Sequence, residues 1–159
     1  RCEDYADRFG VEFHAGEKPW GRVKADVYMP CATQNEIGLE DAKRMIEEGT
    51  SKLLIEVANM PTKAEAVEEL QKAGFMIAPS KAVNAGGVAV SALEMSQNAM
   101  KLSWTEEEVD EKLKKIMKNI FNNIDGAAKK YGMDGNLIAG ANIAGFLKVA
   151  EAMLNEGIF

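Results

Sequence analysis

A short, almost uninterrupted apolar run at Lys52–Val57 constrains the fold of this chain more than any other segment. Such a run is typical of a strand in a parallel sheet that helices cover on both faces. Helical patterns flank it at Leu39–Glu48 and Lys63–Ala73, and a second apolar run follows at Phe75–Ala78. The alternation predicts βαβ units, and therefore a parallel sheet with right-handed crossovers.

Three further elements are predicted before this run. Cys2–Phe9 has helical spacing, and Gly10 is a stop signal after it. The chain begins inside this helical pattern with no cap in front of it, which favours a fragment of a larger protein. Strand patterns follow at Val11–His14 and Ala25–Met29.

Two helix starts carry the capping-box pattern, in which a hydroxyl residue precedes an acidic residue by three positions. The first pairs Thr62 with Glu65, and the second pairs Thr105 with Glu108. We therefore expect each hydroxyl to accept a hydrogen bond from the first turn of the helix that follows it.

Beyond Met100 the pattern is purely helical. An apolar stripe runs from Val109 to Ala127, and a last helix is predicted at about Ile138–Glu156. The whole sequence predicts an α/β fold: a partial Rossmann-like parallel sheet with flanking helices, followed by C-terminal helices.

Polar segments follow three of the predicted strands, at Pro30–Asn35, Ala58–Thr62 and Asn84–Ser91. In an open α/β sheet, ligands bind at this carboxyl edge. Within the last segment, Gly86 and Gly87 lack a Cβ, so a ligand could approach the backbone where a helix begins. The alternative is a glycine turn that merely connects a strand to a helix.

The composition argues against several classes of function. A formal charge of -6 with scattered basic residues argues against a nucleic-acid surface, and no apolar run is long enough to cross a bilayer. Cys2 and Cys31 lack CxxC spacing, which suggests a reducing compartment and no structural zinc site. His14, the only histidine, is predicted to be a surface or strand-edge residue rather than a metal ligand or a catalytic base.

The amino-acid sequences of the loops resemble those of a known family, and the resemblance covers practically the whole chain. Four motifs, in this order, resemble the C-terminal half of the hexameric bacterial glutamate dehydrogenases: Pro30–Asn35, Ala58–Thr62, Lys81–Val88 and Gly140–Phe146. The resemblance implies that residues 1–100 form the second half of a dinucleotide-binding domain. It also implies that residues 101–159 form a C-terminal helical segment packed on that domain.

The reaction that the resemblance implies is hydride transfer between L-glutamate and NAD or NADP, which yields 2-oxoglutarate and ammonium. The implied setting is a cytoplasmic homo-hexamer. In the family, a glycine-rich fingerprint and a substrate domain with the catalytic Lys and Asp lie upstream of the matching region. The resemblance therefore assigns no catalytic residue to this chain, and the chain alone is expected to be inactive.

The resemblance also implies binding residues. Asn84 would hold the nicotinamide carboxamide, Ser91 would bind the side-chain carboxylate of glutamate, and Val88 would pack beside the substrate. The nicotinamide-ribose side of the cleft would be lined by Ala32, Thr33, Gln34 and Asn59.

Alternatives stay open for four residues and for the function. Ser91 could be an ordinary helix serine bonded to a preceding carbonyl, and Gln34 could cap the following helix. Lys81 is interpreted as a loop or phosphate-side charge rather than a catalytic lysine. Cys31 is interpreted as a buried small residue at a strand end, with a reactive thiol as the alternative. The alternative functions are a related dehydrogenase for an apolar amino acid and a non-catalytic nucleotide-binding module.

Overall fold

The computed structural model describes residues 1–157 as seven helices and two strands. The helix bounds and strand bounds are α1 Cys2–Phe9, α2 Leu39–Glu48, β1 Leu53–Ile55, α3 Ala64–Lys72, β2 Met76–Ala78, α4 Ser80–Val83, α5 Ala85–Met100, α6 Glu106–Lys130 and α7 Leu137–Glu156. The predicted fold class is confirmed: a parallel sheet with flanking helices precedes the long C-terminal helices.

The sheet is small and parallel, as predicted. Strand β1 pairs with β2 in a register that places Leu54 opposite Ile77. An isolated parallel bridge between Tyr28 and Leu54 adds the preceding segment on the other side of β1. Three successive segments of the chain therefore run side by side in the same direction.

One predicted strand is absent from the structure, and another is shortened to a single bridge. Val11–His14 is exposed and forms no strand, and Ala25–Met29 is reduced to the single bridge at Tyr28. The physical reason is that a strand needs a neighbour to pair its N–H and C=O groups. Within residues 1–157, no segment pairs with Val11–His14.

The core lies between the sheet and the first helices. Its larger cluster includes Met45 from α2, Leu54 from β1, Leu70 from α3 and Ile77 from β2, all buried. A smaller cluster joins α4, α6 and α7 through the buried residues Ala82, Ile124, Leu137 and Ala141. The two clusters place α4 and α5 at the boundary between the sheet and the C-terminal helices.

One capping box is confirmed and the other is wrong. The Thr105 Oγ1 accepts from the Glu108 N–H at 3.2 Å, and the Thr105 N–H donates to Glu108 Oε2 at 2.8 Å. Helix α3 instead begins after Lys63, and the buried Thr62 hydroxyl has no hydrogen-bond partner within residues 1–157. A parallel bridge to Ile37 holds Thr62 in extended chain, which places it one residue too early to cap α3.

The sequence predicts that no apolar run is long enough to cross a bilayer, and this prediction is wrong as far as helix length and composition are concerned. Among residues 1–157, α7 is long and apolar enough to do so, because small residues such as Gly140 and Ala144 extend its apolar character. The helix packs along α6. Helices inside larger proteins have the same length and composition, so one such helix is weak support for a membrane segment.

Candidate functional site

Two of the three predicted polar segments, Pro30–Asn35 and Ala58–Thr62, meet at the carboxyl edge of the sheet. The backbone N–H of Ala58 donates to the Pro30 carbonyl at 2.9 Å, which joins the first loop to the second. The backbone N–H of Ser80 donates to Glu56 Oε2 at 3.1 Å, which joins the second loop to the start of α4. These two hydrogen bonds bring the first loop, the second loop and the start of α4 to one edge of the sheet.

The glycine run lies in a helix rather than in a loop, which corrects the sequence prediction. The chain turns helical at Ser80, and Asn84 forms a slight break between α4 and α5 with helical backbone angles, φ −83° and ψ −2°. Gly86 faces α6, because an added Cβ there would lie 3.2 Å from the sulfur of Met117. A Cβ at Gly87 would meet only open space, so Gly87 alone leaves its backbone open to a ligand.

Asn84, Val88 and Ser91 share one face of α5. Their spacing of four and three residues brings them together on a helix, and about 160° separates this face from the side that carries Gly86. All three are exposed, and the side chain of Val88 is 75% exposed. We call Asn84, Val88 and Ser91 the free face of α5, because it points away from α6.

The hydroxyl of Ser91 donates to the backbone carbonyl of Gly87, four residues earlier, at 3.2 Å. This is the alternative arrangement considered for Ser91 from the sequence. The hydroxyl keeps its acceptor capacity, but it must rotate away from Gly87 before it can donate to a carboxylate. Any substrate carboxylate at Ser91 therefore competes with this bond.

The predicted residues of the cofactor side lie in exposed segments at the carboxyl edge of the sheet. Exposed side chains are found at Ala32, Thr33, Gln34 and Asn59. No capping hydrogen bond from Gln34 to α2 is found within residues 1–157, and the Gly38 N–H at the start of this helix donates to Asp41 Oδ2 at 2.9 Å. The interpretation of Cys31 as a buried residue is wrong, since Cys31 is exposed.

Lys81 lies on α4 rather than in a loop. Its ammonium group bonds to the side-chain oxygen of Asn142 on α7. The lysine therefore ties α4 to the last helix, and it lines one cavity together with Asn35 and Met60 of the neighbouring loops.

Sequence reasoning missed the residue that joins two of the loops, Glu56. Its carboxylate is 6% exposed and holds the N–H of Ser80. The signal in the sequence was an acidic residue inside the otherwise apolar run Lys52–Val57. Its partner is a backbone group 24 residues away, and no side-chain pattern marks such a group.

No cluster of three His, Cys, Asp or Glu side chains that could hold a metal ion is found within residues 1–157. The predicted site residues present amides, hydroxyls and open backbone. Such groups bind carboxamides, ribose hydroxyls and carboxylates.

Comparison with known proteins gives one consistent result. The sequence profile of the Glutamate/Leucine/Phenylalanine/Valine dehydrogenase family matches residues 2–157. The NAD-specific glutamate dehydrogenase of Clostridium symbiosum is 56% identical over 159 residues, which are 99% of this chain and 35% of that protein. The NADP-specific glutamate dehydrogenase of Haemophilus influenzae is 50% identical over 164 residues, with 100% of this chain and 35% of that protein covered.

Solved structures agree with the sequence comparison. A structure of glutamate dehydrogenase superposes with a TM-score of 0.93 at 56% identity and covers 99% of this chain and 35% of its own. The crystal structure of Plasmodium falciparum glutamate dehydrogenase superposes with a TM-score of 0.90 at 45% identity, covering 100% of this chain and 34% of its own. The chain spans about a third of the length of the relatives that it matches.

Proposed function

The chain belongs to the Glutamate/Leucine/Phenylalanine/Valine dehydrogenase family, and we propose that it works as part of a longer glutamate dehydrogenase. That enzyme would interconvert L-glutamate with 2-oxoglutarate and ammonium, by hydride transfer with NAD or NADP. Residues 1–100 would be the second half of its dinucleotide-binding domain, and residues 101–159 its C-terminal helical segment. We place it in a cytoplasmic homo-hexamer.

The free face of α5 is the observation that carries this proposal. It presents an amide, an apolar side chain and a hydroxyl in a row, at Asn84, Val88 and Ser91, and all three are exposed. Two helical turns separate Asn84 from Ser91, about 10 Å along the axis. A nicotinamide ring at the first residue and a substrate carboxylate at the last would leave the substrate carbon between them.

Each residue has a role that suits its chemistry. The amide of Asn84 can both donate to and accept from the nicotinamide carboxamide. The Ser91 hydroxyl can donate to the side-chain carboxylate of glutamate, and Val88 supplies an apolar wall. The nicotinamide-ribose side would be lined by Ala32, Thr33, Gln34 and Asn59.

In this proposal the bound nicotinamide cofactor supplies the hydride chemistry, and the chain supplies binding and orientation. In the proposed enzyme, the catalytic Lys and Asp would lie outside residues 1–159. We therefore propose that the 159-residue chain alone does not catalyse the reaction.

Exposed apolar side chains on α7 support the idea that more protein packs here. Phe146 is 68% exposed, Val149 57% and Leu154 86%. Large apolar side chains exposed on a helix in this way are typical of a surface that another part of a protein covers. In the proposed enzyme, the remaining part of the polypeptide would cover it.

A chimera tests the proposal directly. In the chimera, residues 1–159 replace the aligned third of the Clostridium symbiosum enzyme. We expect the chimera to reduce NAD when L-glutamate is supplied, and the 159-residue chain alone to show no turnover. The matched control is the Clostridium symbiosum enzyme without the replacement.

Two results would contradict the proposal. A chimera that folds and assembles like the control yet shows no glutamate-dependent turnover would refute the enzyme function. A chimera that prefers leucine or phenylalanine to glutamate would favour the alternative dehydrogenase, in which the Ser91 hydroxyl has no carboxylate to bind.

A further inference from the structure

Glu56 is a buried carboxylate at the carboxyl end of β1. Its backbone N–H donates to the Ala78 carbonyl at 3.1 Å, which continues the parallel pairing by one residue beyond the strands. Its side-chain Oε2 accepts from the Ser80 N–H at 3.1 Å. The residue is therefore fixed at both its backbone and its side chain.

The bond to Ser80 leads directly to Asn84. Helix α4 spans only Ser80–Val83, and the carbonyl of Ser80 accepts from the backbone N–H of Asn84 at 2.9 Å. The first and last ends of this single turn are thus linked through one residue, Ser80, whose N–H is held by Glu56 and whose carbonyl holds Asn84. A shift of the Ser80 N–H would be passed on to the backbone of Asn84.

Helix α4 has no cap of its own. The residue before it is Pro79, whose side chain makes no capping hydrogen bond. The Glu56 carboxylate takes the place of the cap from a neighbouring loop. A carboxylate suits this position because the first turn of a helix carries a partial positive charge.

A buried carboxylate is costly unless it is well bonded. An apolar residue at the end of β1 would fill the same space with no charge to desolvate. The carboxylate therefore has a role that packing alone does not explain, and the only backbone group that its side chain holds within residues 1–157 is the Ser80 N–H.

We infer that Glu56 is a positioning residue for cofactor binding. Its carboxylate anchors the first residue of α4 and so sets the orientation of Asn84 on the free face of α5. The inference rests on the proposed function, since it assumes that Asn84 binds the nicotinamide carboxamide.

Three substitutions in the chimera test the link. Glu56→Gln keeps an acceptor oxygen of nearly the same reach, whereas Glu56→Ala removes it. The matched control is Glu68→Ala, since Glu68 is an exposed acid beside the same cavity of about 440 Å³ as Glu56 and makes no hydrogen bond to α4 within residues 1–157. The measurements are the dissociation constant for NADH and the KM for glutamate.

We expect Glu56→Ala to weaken NADH binding about tenfold, the effect of one lost hydrogen bond to a charged group. The KM for glutamate should change by less than about twofold, because Ser91 lies two turns further along α5. Glu56→Gln should restore NADH binding to within about threefold of the unsubstituted chimera, and Glu68→Ala should change neither constant.

A double substitution separates positioning from general stabilisation. If Glu56 acts through Asn84, then Glu56→Ala combined with Asn84→Ala binds NADH no more weakly than Asn84→Ala alone. In the 159-residue chain, Glu56→Ala should also speed hydrogen exchange of the Asn84 N–H, while the N–H of Ile77 in the sheet keeps its rate.

The experiments distinguish failure of the proposed function from failure of the role of Glu56. A chimera that fails to bind NADH with Glu56 intact overturns the proposed function and this inference together. Normal NADH binding by Glu56→Ala overturns only the role of Glu56, and so does an additive loss in the double variant. Should Glu56→Ala not fold, Glu56→Asp keeps the charge but withdraws it by one methylene, and the same loss of NADH binding is expected.

Discussion

The backbone N–H of Asn35 donates to the carbonyl of Met60 at 3.0 Å, and both residues have positive φ angles, 57° and 45°. This left-handed conformation costs an ordinary L-residue about 1–2 kcal/mol. Asparagine tolerates it, because its short polar side chain bonds locally, but methionine has no such compensation. The strain at Met60 therefore lies next to Asn59, in the loop proposed to line the cofactor site.

Met60→Gly should raise the free energy of unfolding by about 1 kcal/mol, because glycine adopts positive φ without a Cβ penalty. Urea denaturation of the 159-residue chain measures this. The matched control is Met29→Gly: Met29 is 50% exposed against 52% for Met60, but its φ is not positive. Met29→Gly should lower the free energy of unfolding. If Met60→Gly lowers it by the same amount, the backbone at Met60 is not strained.

Gly140 and Gly126 should respond oppositely to alanine. At Gly140, an added Cβ would collide with the backbone oxygen of Ile124 and lie 3.1 Å from the Ala128 Cβ, where α6 and α7 pack together. At Gly126, inside α6, it would meet nothing within 4 Å. Gly140→Ala should therefore destabilise the protein by about 3 kcal/mol.

Gly126→Ala should stabilise the protein by about 0.5–1 kcal/mol, because alanine is the better helix former. Thermal unfolding of the two variants, followed by far-ultraviolet circular dichroism, provides the measurement. If Gly140→Ala unfolds at the same temperature as the unsubstituted chain, the close contact between α6 and α7 does not exist.

The alkaline stability of the protein should depend on Tyr28. Its side chain is buried and its hydroxyl donates to Glu48 Oε2 at 3.1 Å. Burial, followed by the hydrogen bond and the negative charge of Glu48, raises the pKa of Tyr28 to about 12. The folded protein thus holds this proton more tightly than the unfolded chain, where the pKa is about 10.

The stabilisation from Tyr28 is therefore complete below pH 10 and is lost as the pH rises from about 10 to about 12. We expect the free energy of unfolding to fall more steeply over this range in the unsubstituted chain than in Tyr28→Phe. Exposed lysine pairs such as Lys72 with Glu69 titrate in both proteins and cancel in the comparison. Identical slopes would show that the Tyr28 hydroxyl is not perturbed.

Local signals were sufficient to predict most of the fold. Helix α2 has the predicted bounds, Leu39–Glu48, because its apolar spacing and the stop at Gly49 are both encoded within a few residues. The parallel pairing of β1 and β2 follows from two apolar runs with a helix between them. Spacing along α5 likewise predicts that Val88 and Ser91 share a face.

The features that the sequence could not predict depend on contacts between residues that are far apart in the chain. Val11–His14 has a strand pattern but no pairing partner in residues 1–157, and Thr62 is held by Ile37 rather than by the helix that follows it. Glu56 is the clearest case in the candidate site. The sequence shows an acid that interrupts an apolar run, but only the structure shows its bond to Ser80.

The substrate assignment depends on Ser91, and a neighbouring serine provides its control. Ser91 lies on the free face of α5 and its hydroxyl donates to the Gly87 carbonyl at 3.2 Å. Ser96 is also exposed and donates to the Ala92 carbonyl at 2.8 Å, but it lies about 140° further round the helix. The two hydroxyls make the same kind of hydrogen bond to a carbonyl four residues earlier, but they lie on different faces of α5.

In the chimera, Ser91→Ala should therefore raise the KM for glutamate about ten- to a hundredfold, because it removes one hydrogen bond to a carboxylate, worth roughly 1.5–3 kcal/mol. The dissociation constant for NADH should change by less than about threefold, since Asn84 and the loops are untouched. Ser96→Ala should alter neither value. Steady-state kinetics with varied glutamate decides the matter: if Ser91→Ala and Ser96→Ala have the same KM for glutamate, the carboxylate binds elsewhere.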